Sequence, residues 1–332
     1  MKTPAFCYDV GMIELFGTLG PSCGGEAVLT ELFQNGMNGM RLNLSHASLS
    51  ESRTMIEHFH AAADSVHKEA VLLIDLIGPE LRIGVLGKPL ELKTNELFSP
   101  QELAMDESLC GYLKDGDEVL FDDGRILCLY DQGKLCVKRG GILTSRKSIK
   151  VVGRDIPMPP LTEMDYRNIS NVKEYGVKAV MQPFVRSAQD LQAVRRALDE
   201  AGAEDIRIFA KIENRQGLSH LEEIIDYSDM IVIARGDLGN DVPLPRLPGV
   251  QKDIAKACIR KQVPFLVVTQ MLTSMLHNPV PTRAEVSDIF NAVTDGASAL
   301  MVTNETAAGD YPAEVMKVLY ETASAAEEWL SR

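Results

Sequence analysis

Short apolar or β-branched runs recur along the chain, and stretches whose apolar positions keep helical spacing lie between most of them. The runs are Ile13–Thr18, Met40–Leu44, Val71–Leu76, Ala179–Gln182, Ile206–Ala210, Met230–Ala234, Pro264–Thr269 and Ala299–Thr303. Helical spacing covers Glu26–Asn35, Glu51–Lys68, Ala188–Ala201, Gly217–Asp226, Val250–Gln262 and Ala313–Trp329. Near-continuous apolar strands alternating with helices predict a parallel sheet covered on both faces, and eight of them predict closure into a (β/α)8 barrel.

One stretch breaks the rhythm. From about Gly84 to Arg154 the helical period gives way to short strand-like segments separated by Asp115-Gly116-Asp117, Asp122-Asp123-Gly124, Asp131-Gln132-Gly133 and Gly140-Gly141. The expected organisation is a discontinuous barrel, 1–83 and 155–332, with a small β-barrel-like domain, 84–154, inserted after the third strand.

Composition narrows the function classes. Hydrophobic residues make up 45% and charged residues 24% of the 332 residues, the balance of a soluble globular protein. No apolar run reaches the roughly 18–20 residues that span a bilayer, and Met1–Met12 do not read as a signal peptide. The net charge of −13 argues against nucleic acid as a partner. Six cysteines without a CxxC pair read as free thiols in a reducing cytoplasm. His58 and His60, two apart in a helical stretch, face different ways and are poor candidates for shared ligation.

Barrel chemistry sits at the C-terminal ends of the strands, and that rule sorts the polar residues. Strand two ends in Arg41-Leu42-Asn43-Leu44-Ser45-His46; strand three ends in Asp75, with Glu80 and Arg82 close behind. Strand five ends in Lys211-Ile212-Glu213-Asn214, strand six in Ala234-Arg235-Gly236-Asp237, strand seven in Thr269-Gln270, and strand eight in Thr303-Asn304-Glu305-Thr306. Glu213 and Asp237, on adjacent strand ends, can give two oxygens to a hard cation such as Mg2+. Lys211 beside them, with Arg41 and Arg82 across the mouth, suits an anionic substrate carrying carboxylate and phosphate. Taken singly, each of these residues is more often a loop salt bridge or a solvated pair; it is their convergence on one mouth that points to chemistry.

The ordered set resembles the pyruvate kinase family. The residues that carry the resemblance are Gly17-Thr18-Leu19-Gly20-Pro21-Ser22, Gly36-Met37-Asn38, Arg41 to His46, Gly78-Pro79-Glu80-Leu81-Arg82 and Asp122-Asp123-Gly124. Further along they are Lys211 to Asn214, Ala234 to Gly239, Thr269-Gln270-Met271-Leu272 and Pro281-Thr282-Arg283-Ala284-Glu285. The resemblance runs from about residue 12 to the end of the sequence. It implies a kinase that moves the phosphoryl group of phosphoenolpyruvate to ADP, with Mg2+ or Mn2+ and with K+. Lys211, helped by Arg41 and Arg82, would neutralise the transferring group. Glu213 and Asp237 would hold the divalent metal. Ala234, Arg235, Gly236 and Thr269 would seat the substrate, with Thr269 also near the proton relay to the enolate. Asn43, Ser45, Asp75 and the main chain of Leu76 would form a monovalent-cation site, and Glu80 stands where Glu accompanies K+ dependence. Thr18, Pro21, Arg41 and His46 would lie near the nucleotide, with Asp123 and Lys147 reaching in from the inserted domain as it closes like a lid.

The chain departs from the family pattern at Leu76 and Ile77, where Thr-Lys is usual, and at Thr273, where Glu is usual. It departs again at Asn304, where Gly is usual, and at Val152, where Pro is usual; the insert is also short. The sequence stops after the eighth barrel helix, so the family's C-terminal regulatory domain is expected to be absent, with its allosteric effector site and tetramer contacts; a dimer through the barrel stays open. Two other readings stand beside the kinase: the same scaffold used for other enolate or 2-oxo-acid chemistry, and a relative that binds without catalysis.

Overall fold

The computed structural model describes residues 13–69, 71–122, 124–153 and 156–332. Asp123, Cys7, Arg154 and the segment read as lacking a signal peptide lie outside the described residues. By compactness the chain divides into a larger unit, Met1–Ile77 with Leu161–Arg332, and a smaller one, Gly78–Pro160.

The larger unit is a closed barrel of eight parallel strands. In order they are Glu14–Thr18, Gly39–Asn43, Val71–Asp75, Val177–Gln182, Arg207–Ile212, Met230–Ala234, Phe265–Val268 and Ala299–Met301. Each pairs with its neighbours in sequence, and the first closes on the eighth through Glu14↔Ala299 to Phe16↔Met301. Alternation along each strand divides the side chains between two cores. Phe16, Leu73, Met181, Phe209, Val232, Leu266 and Met301 fill the barrel interior. Outward residues such as Leu15, Leu42, Ile74, Ile208, Ile231 and Val267 pack under the helices. Apolar side chains on both faces are why these strands read as continuous apolar runs.

Two elements differ from expectation. The helix expected over Gly217–Asp226 is two, Arg215–Ser219 and Leu221–Asp226, meeting at His220. Asn214 sets that start earlier, because its Oδ1 accepts the Gly217 N–H at 2.7 Å. The eighth strand ends at Met301 rather than Thr303, since Glu305 Oε2 accepts the Thr303 N–H at 2.7 Å and draws the chain away from the sheet.

The smaller unit has its own antiparallel sheet, ordered Ile149–Val151, Glu118–Phe121, Ile126–Asp131, Lys134–Arg139, Leu97–Phe98, and a two-stranded ribbon of Leu90–Leu92 with Gly141–Leu143. Phe121, Val119, Leu135 and Val137 form its buried centre. The hairpin at 131–134 turns on Gln132 (φ 45°) and Gly133 (φ 78°), the two left-handed residues that a tight two-residue turn needs. This unit is wider than the expected 84–154. Residues 81–83 belong to it through the Arg82↔Ser148 bridge and the Ile83 N–H bond to Lys147 O at 2.9 Å.

Candidate functional site

Strand periodicity decides which polar residues enter the barrel mouth. Phe209 points into the interior while Ile208, Ala210 and Ile212 point out, so Lys211 stands on the inner face at the end of strand five. By the same count Asp75 follows inward Leu73, and Arg41 lies between outward Met40 and Leu42.

These side chains form a chain of buried charges. Arg41 Nη2 is 2.6 Å from Asp75 Oδ2, Lys211 Nζ is 3.1 Å from the same oxygen, and Lys211 Nζ is 2.9 Å from Glu213 Oε1. Asp75 and Glu213 are only 3% and 2% exposed, while Lys211 and Arg41 keep 13% and 14%. Burial opposes ionisation of Asp75, but Lys211 and Arg41 outweigh it and hold the carboxyl below its usual range. Burial also works against the Lys211 ammonium, and Asp75 and Glu213 more than reverse that, so its affinity for the proton is raised. Glu213 goes the other way. Burial dominates, Asp237 and Asp75 add repulsion against the pull of Lys211, and its carboxyl is pushed up to about 7.

That crowding bears on metal binding. Glu213 and Asp237 are oxygen donors whose mutual repulsion a cation would relieve, so they fit a hard divalent ion that takes its other ligands from substrate and water. Glu213 Oε2 also accepts the Phe184 N–H at 2.8 Å, with Phe184 held at φ 50°. Among the described residues no group of three or more His, Cys, Asp or Glu makes an all-protein cage. Asn43 and Asp75 pair across strands two and three. Asn43 Oδ1 accepts the Ser45 N–H at 3.1 Å, and the Leu76 N–H goes to Met181 O.

The other expected residues fall as follows. Thr18 is buried and satisfied inside the barrel, its Oγ1 donating to Val302 O at 3.0 Å and its N–H to Thr306 Oγ1 at 2.9 Å. Pro21 and His46 are exposed. Arg82 belongs to the smaller unit, where its Nη2 lies 2.7 Å from Glu80 Oε2. Lys147 is in the same unit and pairs with Asp122 at 2.6 Å. In the larger unit, Ala234 ends strand six, followed by the Arg235–Asp241 helix. The Arg235 guanidinium turns toward Thr269 O (2.7 Å) and toward Asp288 (2.6 and 2.8 Å). Sequence reasoning missed Phe184 and Asp288. Thr282 and Glu285 form a capping box, and that pattern marks the start of the helix that carries Asp288. Nothing comparable marks Phe184, whose contribution is a main-chain N–H.

The family model described as pyruvate kinase, barrel domain, matches residues 12–316. A pyruvate kinase of Bacillus licheniformis is 36% identical over 332 residues, 95% of this chain and 57% of that protein. One from Clostridium acetobutylicum is 35% identical, covering 93% of this chain and 69% of that protein. One from Aeropyrum pernix is 34% identical, covering 97% and 72%. This chain thus spans little more than half of the Bacillus relative's length. The match covers the barrel that carries the buried charges, and the chain belongs to the pyruvate kinase family.

Proposed function

We propose that the protein transfers the phosphoryl group of phosphoenolpyruvate to ADP, giving pyruvate and ATP, with Mg2+ or Mn2+ at Glu213 and Asp237. The observation that carries this reading is Lys211, a buried ammonium 2.9 Å from Glu213 and 3.1 Å from Asp75. Its two carboxylates fix its position and keep it charged, so it can meet negative charge developing on the transferring group without reorganising. Arg41, oriented by Asp75, adds a second cation. A divalent ion at Glu213 and Asp237 would supply charge neutralisation to the phosphoryl and enolate oxygens. The main chain at Ala234, Arg235 and Gly236, with Thr269, seats the substrate. Thr269 also stands near the proton path to the enolate carbon. Thr18, Pro21, Arg41, His46, Asp123 and Lys147 are assigned to the nucleotide, and Arg82 to the transferring group. Asn43, Ser45, Asp75 and Leu76 are assigned to K+. A cytoplasmic setting and a dimer through the barrel belong to the same reading. Among the described residues no helix is long and apolar enough to cross a membrane.

The test is pyruvate formation by purified protein from phosphoenolpyruvate and ADP, with Mg2+ or Mn2+, in K+ against Na+. ADP-dependent pyruvate release stimulated by K+ is the expected result. Folded, metal-binding protein that turns over with no nucleotide would overturn the kinase reading.

A further inference from the structure

Thr269 and Gln270, which follow strand seven, both take left-handed main-chain angles, φ 79° and 57°. For a β-branched residue such as threonine that conformation is a true outlier, and it persists only where neighbouring groups over-determine it. Two neighbours do so. Arg235 places Nε at 3.1 Å and Nη2 at 2.7 Å from the Thr269 carbonyl oxygen. Its Nη2 also meets Met271 Sδ at 2.9 Å, and its Nη1 meets both Asp288 oxygens at 2.8 and 2.6 Å. Gly236 leaves the space, since a Cβ there would stand 2.9 Å from Thr269 Cγ2.

All three nitrogens of the guanidinium are engaged, the two Nη1 contacts sharing one carboxylate. The Arg235 head group is thus turned to the Thr269 carbonyl and to Asp288. What fixes the head group is Asp288, on the Arg283–Thr294 helix. That helix is anchored at its start by the Thr282–Glu285 capping box, and Glu285 also accepts the Ser274 N–H at 2.7 Å and the Ser274 hydroxyl at 2.5 Å. Residues 285 and 288 share a helix face. One face of one helix thus grips the segment after strand seven at Ser274 directly, and at Thr269 through Arg235.

We propose that Asp288 is a positioning residue: by orienting Arg235 it holds Thr269 in its left-handed conformation at the substrate seat. The inference rests on the role given to Thr269 above, and its readout is the chemical step, through the place of Thr269 near the proton path.

The test compares the full-length wild-type protein with Asp288→Asn, which keeps the shape and removes the charge, and with Asp288→Glu, which restores the charge. Steady-state kinetics with phosphoenolpyruvate and ADP are paired with amide hydrogen exchange over peptides spanning 266–276. Misplacing a reacting group by about 1 Å costs about a hundredfold, so Asp288→Asn should lower kcat at least about tenfold. The fall in kcat should exceed any rise in the KM for phosphoenolpyruvate. Exchange should rise in 266–276 alone, with Asp288→Glu recovering part of both effects. Wild-type kcat and exchange in Asp288→Asn would overturn the proposal. So would exchange rising evenly across the barrel, which would mark Asp288 as general support. If the wild-type protein forms no pyruvate, the kinase reading fails; the local exchange in 266–276 then decides the positioning claim alone.

Discussion

The two ends of the barrel use the same strands and differ in how closely they link and bury charge. At the N-terminal end, Lys178 stands 3.9 Å from Glu69 with the side chains 53% and 88% exposed, and Arg195 stands 3.9 Å from Asp229. At the C-terminal end, Arg41, Asp75, Lys211 and Glu213 are linked at 2.6–3.1 Å and almost removed from water. Exposed pairs contribute about 0–1 kcal/mol, whereas breaking a buried pair costs about 3–5 kcal/mol through the charge left behind. Burying charge brings no stability that a hydrophobic filling would not match. A cluster of charges as closely linked and as deeply buried as the one at the C-terminal end is therefore a mark of chemistry, in keeping with the division between the two faces of such barrels.

Three experiments break or sharpen that contrast, from the largest effect down. Asp75→Asn leaves Arg41 and Lys211 without the oxygen they share, and chemical denaturation should show a loss of about 3 kcal/mol. A loss under about 1 kcal/mol would mean that the mouth behaves like the exposed end.

The second effect is a pH dependence. Glu213 titrates near 7 in the fold against an ordinary 4.5, so the native state favours its protonated form. For the metal-free protein this stabilisation is complete below about pH 4.5 and is lost as pH rises through about 7. Asp75, held low, has the opposite sign: its contribution is present above its ordinary 3.8 and is lost only as pH falls through its folded value. Thermal unfolding of metal-free wild type minus Glu213→Gln should therefore fall between pH 5 and 8. A flat difference would mean that Glu213 is ionised throughout.

The smallest effect belongs to Lys178→Ala, which should change stability by less than about 1 kcal/mol and leave turnover untouched. A larger loss would erase the distinction between the two ends.

How far the sequence carries depends on the range of the forces involved. The eight strands could be read because burial on both faces writes an apolar run into each, and the strand-end rule then picked out Arg41, Asp75, Lys211 and Glu213. The roles within the mouth were less legible. Arg235 reads only as part of the loop that seats the substrate, and the sequence does not show that its head group serves Thr269 and Asp288. That outcome depends on a left-handed turn 34 residues further on and a helix 53 residues away, neither of which local spacing encodes. The resemblance puts Thr18 near the nucleotide, and the sequence does not show that its hydroxyl donates to Val302 O, just past strand eight. In the smaller unit the Gly-containing turns marked an all-β region, while residues 81–83 joined it through pairing with 147–149 that only the sheet reveals.

The most direct test of the account is Lys211→Met, read by metal titration and by ADP-dependent pyruvate formation together. Metal binding close to wild type with turnover lowered by about a thousandfold or more is the predicted result, because Lys211 acts on developing charge. Turnover near wild type in that variant would contradict the account.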